Sequence, residues 1–474
     1  MKPSIFREYD IRGVVGRDFD ESFGELLGRA FAVKIKNTLG PDRPRYIVGI
    51  GRDCRLSGPG ITARLVQGLI QHGVDVIDCG MGSTPQLYFS VFHQNLDGGI
   101  QVTASHNPGD QNGFKMMVGK NTLSGPDIQE LRQIIEGFSS NNSSDVSGEA
   151  SGEVIEGVIG QCREYDAGED YLQYLIQTSL PRMGDRKLKV VVDGGNGMGG
   201  PVGVPLLREL GCEVIELYTD PDGTFPNHHP DPTVLENIIE LRKRVVDEGA
   251  DLGIAWDGDA DRIGVVDERG EPIFGDMLLL LYGRQLLKSV SNPTIIGDVK
   301  CSQVLFDTLT AEGANAVMAK TGHSLIKAKL KELDAELAGE MSGHMFFAHE
   351  YFGFDDALHA AARIVEILSS SKGPLSSLLE DVPKMFSTPE LRVDCDDDIK
   401  FRVVELMRDA MSDFEVNTLD GVRVKFPDGW GLVRASNTQA ALVLRFEAKS
   451  EAALNEYRGL MEERLEIAKS SLKK

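Results

Sequence analysis

The chain alternates short β-rich runs with amphipathic helical patterns, and this alternation constrains the fold more than any other feature. The strand-like run YIVGIG precedes the helical pattern GPGITARLVQGLIQHG, and VDVIDCG precedes TPQLYFSVFHQN. The same order returns in KLKVVVDGGNGMGGPVGVPLLRELG, and again between TIIGDVK and AELAGEMSGH. Strands that alternate with helices form βα units and mostly parallel sheets. The sequence therefore predicts an α/β fold with three related βα-sheet domains.

The last part of the chain changes character after about residue 387. LRVDC, VNTLDGVRVKF, GWGLVRASN and AALVLRFEA have the pattern of antiparallel strands, and two helical patterns accompany them. They predict a smaller C-terminal α+β domain. Residues 138–153 are rich in Ser, Asn and Gly, which is typical of an exposed loop or linker. The predicted domains are residues 1–165, 166–270, 271–383 and 384–474.

Charge and composition exclude several classes of partner. The net charge is −23, from 73 acidic and 50 basic residues, so the protein should repel nucleic acids and anionic membranes. No apolar run approaches the roughly 18 residues that span a bilayer, and the N-terminus lacks the apolar core of a signal peptide. The six cysteines form no CxxC pair, which fits a reducing compartment. We expect a cytoplasmic protein that binds neither nucleic acid nor membrane.

The stretch TASHNP, residues 103–108, follows the strand-like run DGGIQV. Pro108 disfavours a helical conformation at Asn107, so Ser105 is expected on a tight loop at the end of a strand, beside His106. Serine, asparagine and proline are also common in ordinary turns. These six residues alone therefore leave two interpretations open, a reactive serine and a structural turn.

A second loop, in AWDGDADRIGVV, carries Asp257, Asp259 and Asp261. Because the residues alternate, an extended loop would direct all three carboxylates to one side, where a cation would relieve their repulsion. Oxygen ligands of this kind favour Mg²⁺ or Ca²⁺. An EF-hand does not fit, because Arg262 occupies its glycine position and IGVV reads as a strand. The remaining alternative is a solvated acidic turn.

Two further polar loops follow strand-like runs. In AGEMSGH the residues Glu340, Ser342 and His344 alternate, so a carboxylate, a hydroxyl and an imidazole would share one face. Such a face suits sugar hydroxyls, although a helix N-cap is the alternative. RASNT, residues 434–438, combines a guanidinium, hydroxyls and an amide that could surround a phosphate dianion, although a surface turn is the alternative. Basic residues lie near these loops against the overall negative charge: Arg7, Arg12, Lys115, Arg262, Lys300 and His323.

Taken together and in order, the motifs of this chain resemble those of the α-D-phosphohexomutase family, and within it the bacterial phosphomannomutase/phosphoglucomutase group. The matching stretches span nearly the whole chain: FREYDIRG, TASHNP, DGGNG, FPNHHPDP, DGDADR, KTGHS, GEMSGH, FGFDD and RASNT. The resemblance implies four domains around a central cleft. It also implies an isomerase of carbohydrate metabolism that interconverts hexose 1-phosphate and hexose 6-phosphate, with mannose and/or glucose as the sugar. The reaction would pass through a phosphoserine enzyme and a 1,6-bisphosphate intermediate.

The resemblance assigns roles to individual residues. Ser105 would carry the phosphoryl group and, with the three aspartates, would hold one Mg²⁺ per chain. The other catalytic residues would be His106, Lys115 and Arg262, and among His106, Lys115 and His323 the resemblance favours Lys115 as general base. The substrate-binding residues would be Tyr9, Arg12, Lys300, His323, Glu340, Ser342, His344, Arg434, Ser436, Asn437 and Thr438.

The resemblance also bears on activators, partners and alternatives. Glucose 1,6-bisphosphate would act as activator, sugar phosphates would be the only partners, and the chain would be a monomer or a weak homodimer. A phosphoglucosamine mutase is the nearest alternative, but such enzymes tend to carry Gln where this chain has Met341. A haloacid-dehalogenase-type phosphohydrolase with Asp257 as nucleophile is less favoured, because its motif needs threonine where this chain has Asp261. A non-catalytic phosphosugar-binding protein is a third alternative.

Overall fold

The computed structural model describes residues 1–40, 43–140, 159–437 and 440–472. The predicted linker at 138–153 lies outside them, except that residues 138–140 belong to a helix. The first sheet has the order β1-β5-β4-β2-β3-β7, with β6 paired to β5. Its strands are β1 (Ile11–Val14), β2 (Tyr46–Arg52), β3 (Val74–Met81), β4 (Gly98–Val102), β5 (Gln111–Val118), β6 (Asn121–Thr122) and β7 (Cys162–Glu164). Its helices are α1 (Ser22–Leu39), α2 (Gly58–Gln71), α3 (Thr84–His93) and α4 (Pro126–Ser140).

The second sheet has the order β12-β11-β10-β8-β9, and the third has the order β14-β13-β15-β16. The second consists of β8 (Lys189–Asp193), β9 (Glu213–Leu217), β10 (Leu252–Trp256), β11 (Ile263–Asp267) and β12 (Pro272–Ile273), with helices α5 (Ala167–Ser179), α6 (Gly200–Glu209) and α7 (Ile239–Glu248). The third consists of β13 (Thr294–Asp298), β14 (Asn315–Ala319), β15 (Leu337–Gly339) and β16 (Met345–Phe347), with α8 (Gly275–Leu286), α9 (Gln303–Ala311), α10 (His323–Glu332) and α11 (Ala357–Ser369).

The fourth sheet is antiparallel in each pairing of its described strands. It contains β17 (Phe386–Ser387), β18 (Leu391–Asp394), β19 (Glu415–Asn417), β20 (Val422–Phe426), β21 (Gly429–Ala435) and β22 (Ala441–Ala448), beside α12 (Lys400–Ala410) and α13 (Glu451–Leu472). Three α/β units followed by a smaller α+β unit are the predicted fold class, which is therefore confirmed. We refer to the regions built on these sheets as units 1 to 4.

In each of the first two sheets, a central strand is buried along its whole length. Every residue of β4 and of β10 is buried, which is the usual state of strands in parallel α/β sheets. Helix α3 starts at the expected place because the Ser83 hydroxyl accepts the Gln86 N–H and Pro85 occupies the first turn. In α6, Gly203 lets the ring of Trp256 approach so closely that an added Cβ would lie 2.5 Å from it.

Units 1 to 3 contribute to one common apolar core, and units 1 and 4 each have a further core of their own. The shared core contains Tyr88 and Phe89 of α3, Trp256 of β10 and Phe354 before α11. The core of unit 4 is built from its own strands and from α12 and α13. A small cluster of Val299, Trp430 and Leu432 connects it to unit 3. The first three units are thus held together by apolar packing, and unit 4 has a smaller apolar attachment to them.

Three of the four polar loops singled out in the sequence lie beyond the carboxyl ends of parallel strands. Residues 103–110 follow β4, residues 257–262 follow β10, and residues 340–344 follow β15. The crevice beyond the carboxyl ends of strands is where α/β sheets bind ligands. No helix in the described ranges is both long enough and apolar enough to cross a membrane.

Candidate active site

Ser105 lies at the meeting point of units 1 and 2. Its hydroxyl donates to Oδ2 of Asp257 at 2.7 Å and lies 3.1 Å from Nδ1 of His106. The backbone of Ser105 has a φ of 52°, in the left-handed region that non-glycine residues rarely adopt. A strained, 2% exposed serine beside a carboxylate differs from an ordinary turn residue. The structure therefore brings the predicted reactive serine against the predicted metal loop.

The serine loop is held by Arg55, which sequence reasoning did not identify. Its guanidinium donates to four backbone carbonyls of the loop, those of Ser105 (2.7 Å), Asn107 (2.6 Å), Pro108 (2.6 Å) and Gln111 (3.0 Å). The side chain follows β2 and is fully buried. A single arginine after a strand carries no signal in the sequence, because its partners lie about fifty residues further along the chain.

Asp53 stabilises the same loop through Arg55 and Thr103. It accepts from Nε of Arg55 at 3.0 Å and from the hydroxyl of Thr103 at 2.7 Å. The Thr103 hydroxyl in turn accepts the N–H of Ser105 at 2.9 Å. The unusual backbone conformation of Ser105 is therefore fixed by a buried ion pair and its hydrogen bonds.

Replacement of Arg55 tests this support. We expect Arg55→Met to destabilise unit 1 by about 3–5 kcal/mol, because it leaves Asp53 as an unpaired buried charge. Turnover should fall as well, since the serine loop loses its four donors. Thermal and urea unfolding would measure the first effect. The matched control is Arg45→Met, whose exposed pair with Asp75 should contribute at most about 1 kcal/mol. Equal stability of the two variants would contradict the role of Arg55.

The acidic loop presents buried carboxylate oxygens, one of which lacks a partner. Asp257 is anchored because its Oδ1 accepts the N–H groups of Asp261 and Arg262, each at 3.0 Å. Oδ1 of Asp259 is buried without a hydrogen-bond partner, and the nearest polar contact of Oδ1 of Asp261 is Nε2 of His344 at 3.2 Å. One oxygen from each aspartate lies within 4.8 Å of the other two. Carboxylate oxygens in this arrangement fit a divalent cation with oxygen ligands.

A lysine from unit 1 neutralises part of this charge. Lys115 on β5 donates to Oδ2 of Asp259 at 2.6 Å and to Oδ2 of Asp261. Burial opposes the charge of Lys115, but the two carboxylates raise its pKa above the ordinary value. Burial and the charges of Asp261 and Asp259 raise the pKa of Asp257 well above its usual range. Lys115 therefore does not by itself offset the mutual repulsion of the three carboxyl groups.

The predicted sugar-binding loop of unit 3 adjoins the metal loop. Nδ1 of His344 lies 2.8 Å from Oε2 of Glu340, and its Nε2 lies 3.2 Å from Oδ1 of Asp261. Burial opposes protonation, but these carboxylates raise the pKa of His344 to about 9. Burial also opposes the charge on Glu340, and His344 lowers the pKa of Glu340 to about 2. Ser342 lies beside the pair, with its hydroxyl 3.3 Å from Nδ1 of His344.

Other predicted residues gather around these loops. Nε of Arg262 lies 3.3 Å from Nε2 of His344, and Arg12 donates to Asn107 of the serine loop at 3.2 Å. His323 begins α10, with its Nδ1 3.5 Å from Oδ2 of Asp355. Burial and the charges of Lys327 and Lys115 hold the pKa of His323 well below its ordinary value. These effects favour the neutral form of His323. Asp355 also accepts a hydrogen bond from Lys327 at 2.8 Å. It lies in the motif FGFDD, but it is not among the site residues predicted from the sequence.

The predicted phosphate loop of unit 4 faces units 1 and 3. Arg434 is the penultimate residue of β21 and is 5% exposed. Ser436 follows the strand and is 6% exposed. Nδ2 of Asn437 donates to the hydroxyl of Tyr9 at 2.6 Å. Lys300 of unit 3 contacts Glu390 of unit 4 at 3.1 Å. Thr438, the last predicted residue of this loop, lies outside the described residues.

A buried serine that faces a carboxylate loop on an α/β scaffold suits phosphoryl transfer, which depends on positioning and on stabilising charge. Four family models match the chain in order: phosphoglucomutase/phosphomannomutase α/β/α domain I at residues 3–142, domain II at 169–270, domain III at 274–386 and the C-terminal domain at 390–464. The chain belongs to the phosphoglucomutase/phosphomannomutase family of hexose phosphate mutases.

Individual relatives agree with the family models. A phosphomannomutase/phosphoglucomutase of Pseudomonas aeruginosa is 43% identical over 477 residues, which cover 100% of this chain and 97% of that protein. A phosphoglucomutase of Neisseria meningitidis is 41% identical over 466 residues, covering 97% and 96%. A crystal structure of a phosphoglucomutase/phosphomannomutase family protein from Burkholderia thailandensis superposes with a TM-score of 0.87 at 40% identity, over 99% of this chain and 98% of that one.

Proposed function

We propose that the protein reversibly interconverts hexose 1-phosphates and hexose 6-phosphates of mannose and glucose. The observation that carries the proposal is the 2.7 Å contact between the hydroxyl of Ser105 and Asp257, at the edge of a buried three-carboxylate loop. A phosphorylated Ser105 would give its phosphoryl group to a free hydroxyl of the bound hexose monophosphate. The P–O bond to serine breaks as the bond to the sugar oxygen forms, and a hexose 1,6-bisphosphate results.

The second half of the reaction returns a phosphoryl group to the enzyme. The bisphosphate must turn over in the site, so that its other phosphate faces Ser105 and is transferred to it. The remaining monophosphate is the isomer of the starting sugar phosphate. We propose that Arg434, Ser436, Asn437 and Thr438 bind whichever phosphate is not reacting, because a guanidinium with hydroxyl and amide donors suits a phosphate dianion.

Three groups are available to handle the proton of the attacking hydroxyl. The carboxylates of Asp259 and Asp261 keep Lys115 protonated as long as both of them accept its hydrogen bonds. We propose Lys115 as the base, a role for which these carboxylates would have to release its amino group. His106 and His323 remain candidates. Arg12, Arg262 and Lys300 would stabilise the charge of the phosphate groups, and Glu340, Ser342 and His344 would orient the sugar.

We propose that Asp257, Asp259 and Asp261 hold one Mg²⁺ per chain, together with a phosphate oxygen on Ser105. When bound, the ion would neutralise charge on the transferring phosphoryl group. Glucose 1,6-bisphosphate would serve as activator, since it can phosphorylate Ser105 again after the intermediate escapes.

We also propose the cellular and structural setting of this activity. The acidic chain, with a net charge of −23, would act in the cytoplasm on small sugar phosphates, as a monomer or a weak homodimer without nucleic acid or membrane partners. Its domains would be residues 1–165, 166–270, 271–383 and 384–474.

A comparison of substrates tests the proposal. With Mg²⁺ and a catalytic amount of glucose 1,6-bisphosphate, we expect comparable conversion of mannose 1-phosphate and glucose 1-phosphate, because a polar loop can accept either orientation of the hydroxyl at C2. Glucosamine 1-phosphate should be converted more slowly. Faster conversion of the amino sugar would instead favour a phosphoglucosamine mutase. Binding without conversion of any of the three would overturn the proposal.

A further inference from the structure

Asp420, in the turn before β20, connects two units through one carboxylate oxygen. Its Oδ2 accepts Nε–H of Arg434 in unit 4 at 3.0 Å and the backbone N–H of Thr321 in unit 3 at 3.0 Å. We propose that Asp420 is a positioning residue, which orients Arg434 for phosphate and fixes unit 4 against unit 3 when the site is closed. We call the contact of Asp420 with Thr321 and Arg434 the closure latch.

The backbone of Thr321 also forms a hydrogen bond with unit 1. Its carbonyl accepts the hydroxyl of Tyr9 at 2.8 Å, and that hydroxyl accepts from Asn437 of unit 4 at 2.6 Å. The Thr321 hydroxyl donates to Asp298 at 2.9 Å. One loop of unit 3 is thus the point where units 1, 3 and 4 meet through hydrogen bonds. The closure latch supplies the charged part of this junction.

The geometry of the guanidinium explains why Asp420 would orient Arg434. Arginine has five N–H donors in a rigid plane, and only one of them is on Nε. A carboxylate that accepts from Nε fixes the plane while the two terminal amino groups keep the remaining four donors. The Arg434 side chain is 6% exposed and that of Asp420 is 15% exposed, so water screens this pair little. Charge-assisted hydrogen bonds in such surroundings are stronger than neutral ones.

This inference rests on the proposed function, in which Arg434 binds the non-reacting phosphate. The turnover of the bisphosphate requires room, and the core of unit 4 lies outside the core common to units 1 to 3, to which the small cluster of Val299, Trp430 and Leu432 connects it. Opening would separate Asp420 from Thr321, whereas the contact of Asp420 with Arg434 lies within unit 4 and would persist. Asp420 would therefore act in every cycle, both on the affinity for sugar phosphate and on closure.

The test is a pair of substitutions with a matched control in the same unit. Asp420→Ala removes both hydrogen bonds, and we expect KM for glucose 1-phosphate to rise roughly tenfold to a hundredfold, the range for a hydrogen bond to a charged group. Asp420→Asn retains an oxygen that can accept both bonds but loses the charge, so KM should rise less. Asp428→Ala, which removes an exposed pair with Lys449, should leave KM unchanged.

Two further measurements separate this role from general damage. Phosphorylation of Ser105 by glucose 1,6-bisphosphate, followed by intact mass at saturating concentration, should persist in Asp420→Ala, because units 1 and 2 are untouched. Small-angle scattering with saturating glucose 1-phosphate should show a larger radius of gyration than for the unmodified protein. A KM and a radius equal to those of the unmodified protein would overturn the inference, and an Asn variant as impaired as the Ala variant would overturn the orienting role. Absence of mutase activity in the unmodified protein would instead reject the proposed function.

Discussion

Ser105→Ala is expected to lower mutase turnover on the order of 10³-fold or more, because the proposed mechanism places the phosphoryl group on this hydroxyl between the two transfers. The serine hydroxyl is the only atom that the substitution removes, and its two contacts, with Asp257 and His106, are side-chain contacts. The loop itself is held by Arg55 through backbone carbonyls. The variant should therefore fold normally. Coupled assays in both directions would measure the loss.

Intact-mass analysis provides a second readout for this prediction. The protein without the substitution should gain the mass of one phosphoryl group after incubation with glucose 1,6-bisphosphate. The Ser105→Ala variant should gain none. Ser22→Ala is a suitable control, since that exposed hydroxyl contacts Asp20 alone among the described residues. A phosphoryl group trapped on Asp257 would point to the phosphohydrolase alternative. An alanine variant with near-normal turnover would refute the phosphoserine mechanism.

The features that sequence reasoning predicted correctly are local ones. The fold class followed from the order of strand and helix patterns, and the family followed from motifs in sequence order. The alternation of Asp257, Asp259 and Asp261 indicated that their carboxylates could share one cation, and the structure brings these oxygens together. Within AGEMSGH the prediction of one shared face agrees with Glu340 and Ser342 both lying at His344.

The features that sequence reasoning missed depend on contacts between distant segments. Arg55 and Asp420 are single charged residues in short loops, and nothing near them in the sequence marks their partners. Each acts on backbone atoms, those of residues 105–111 for Arg55 and of Thr321 for Asp420. Every residue has the same backbone groups, so the sequence does not indicate which residues contact Arg55 or Asp420. The folded structure is needed to identify these contacts. The contact of Lys115 with the acidic loop is similar, since more than 140 residues separate the two.

Removal of divalent ions is the second change with a large expected effect. Chelation should lower turnover on the order of 10³-fold or more, because a bound ion contributes several kcal/mol of charge stabilisation to phosphoryl transfer. Mg²⁺ should restore the activity, and it should also raise the unfolding temperature, since it would bind the folded carboxylate loop and give the buried Oδ1 of Asp259 a partner. Asp259→Asn should reduce both effects. Full turnover in the presence of a strong chelator would contradict the metal site.

Lys115→Met tests whether Lys115 and Mg²⁺ neutralise the same two carboxylates, those of Asp259 and Asp261. In the chelated protein this substitution leaves Asp259 and Asp261 without the cation that both contact, which should destabilise the fold by about 3–5 kcal/mol. Mg²⁺ should then stabilise the variant more than the unmodified protein, because the ion no longer competes with a lysine for the same carboxylates. Turnover should nevertheless stay low, since a proton-transfer or charge-stabilising group is lost. Tighter Mg²⁺ binding together with weaker catalysis cannot arise from unfolding, which would weaken both. Equal stabilisation by Mg²⁺ in the two proteins would mean that Lys115 and the ion do not share these carboxylates.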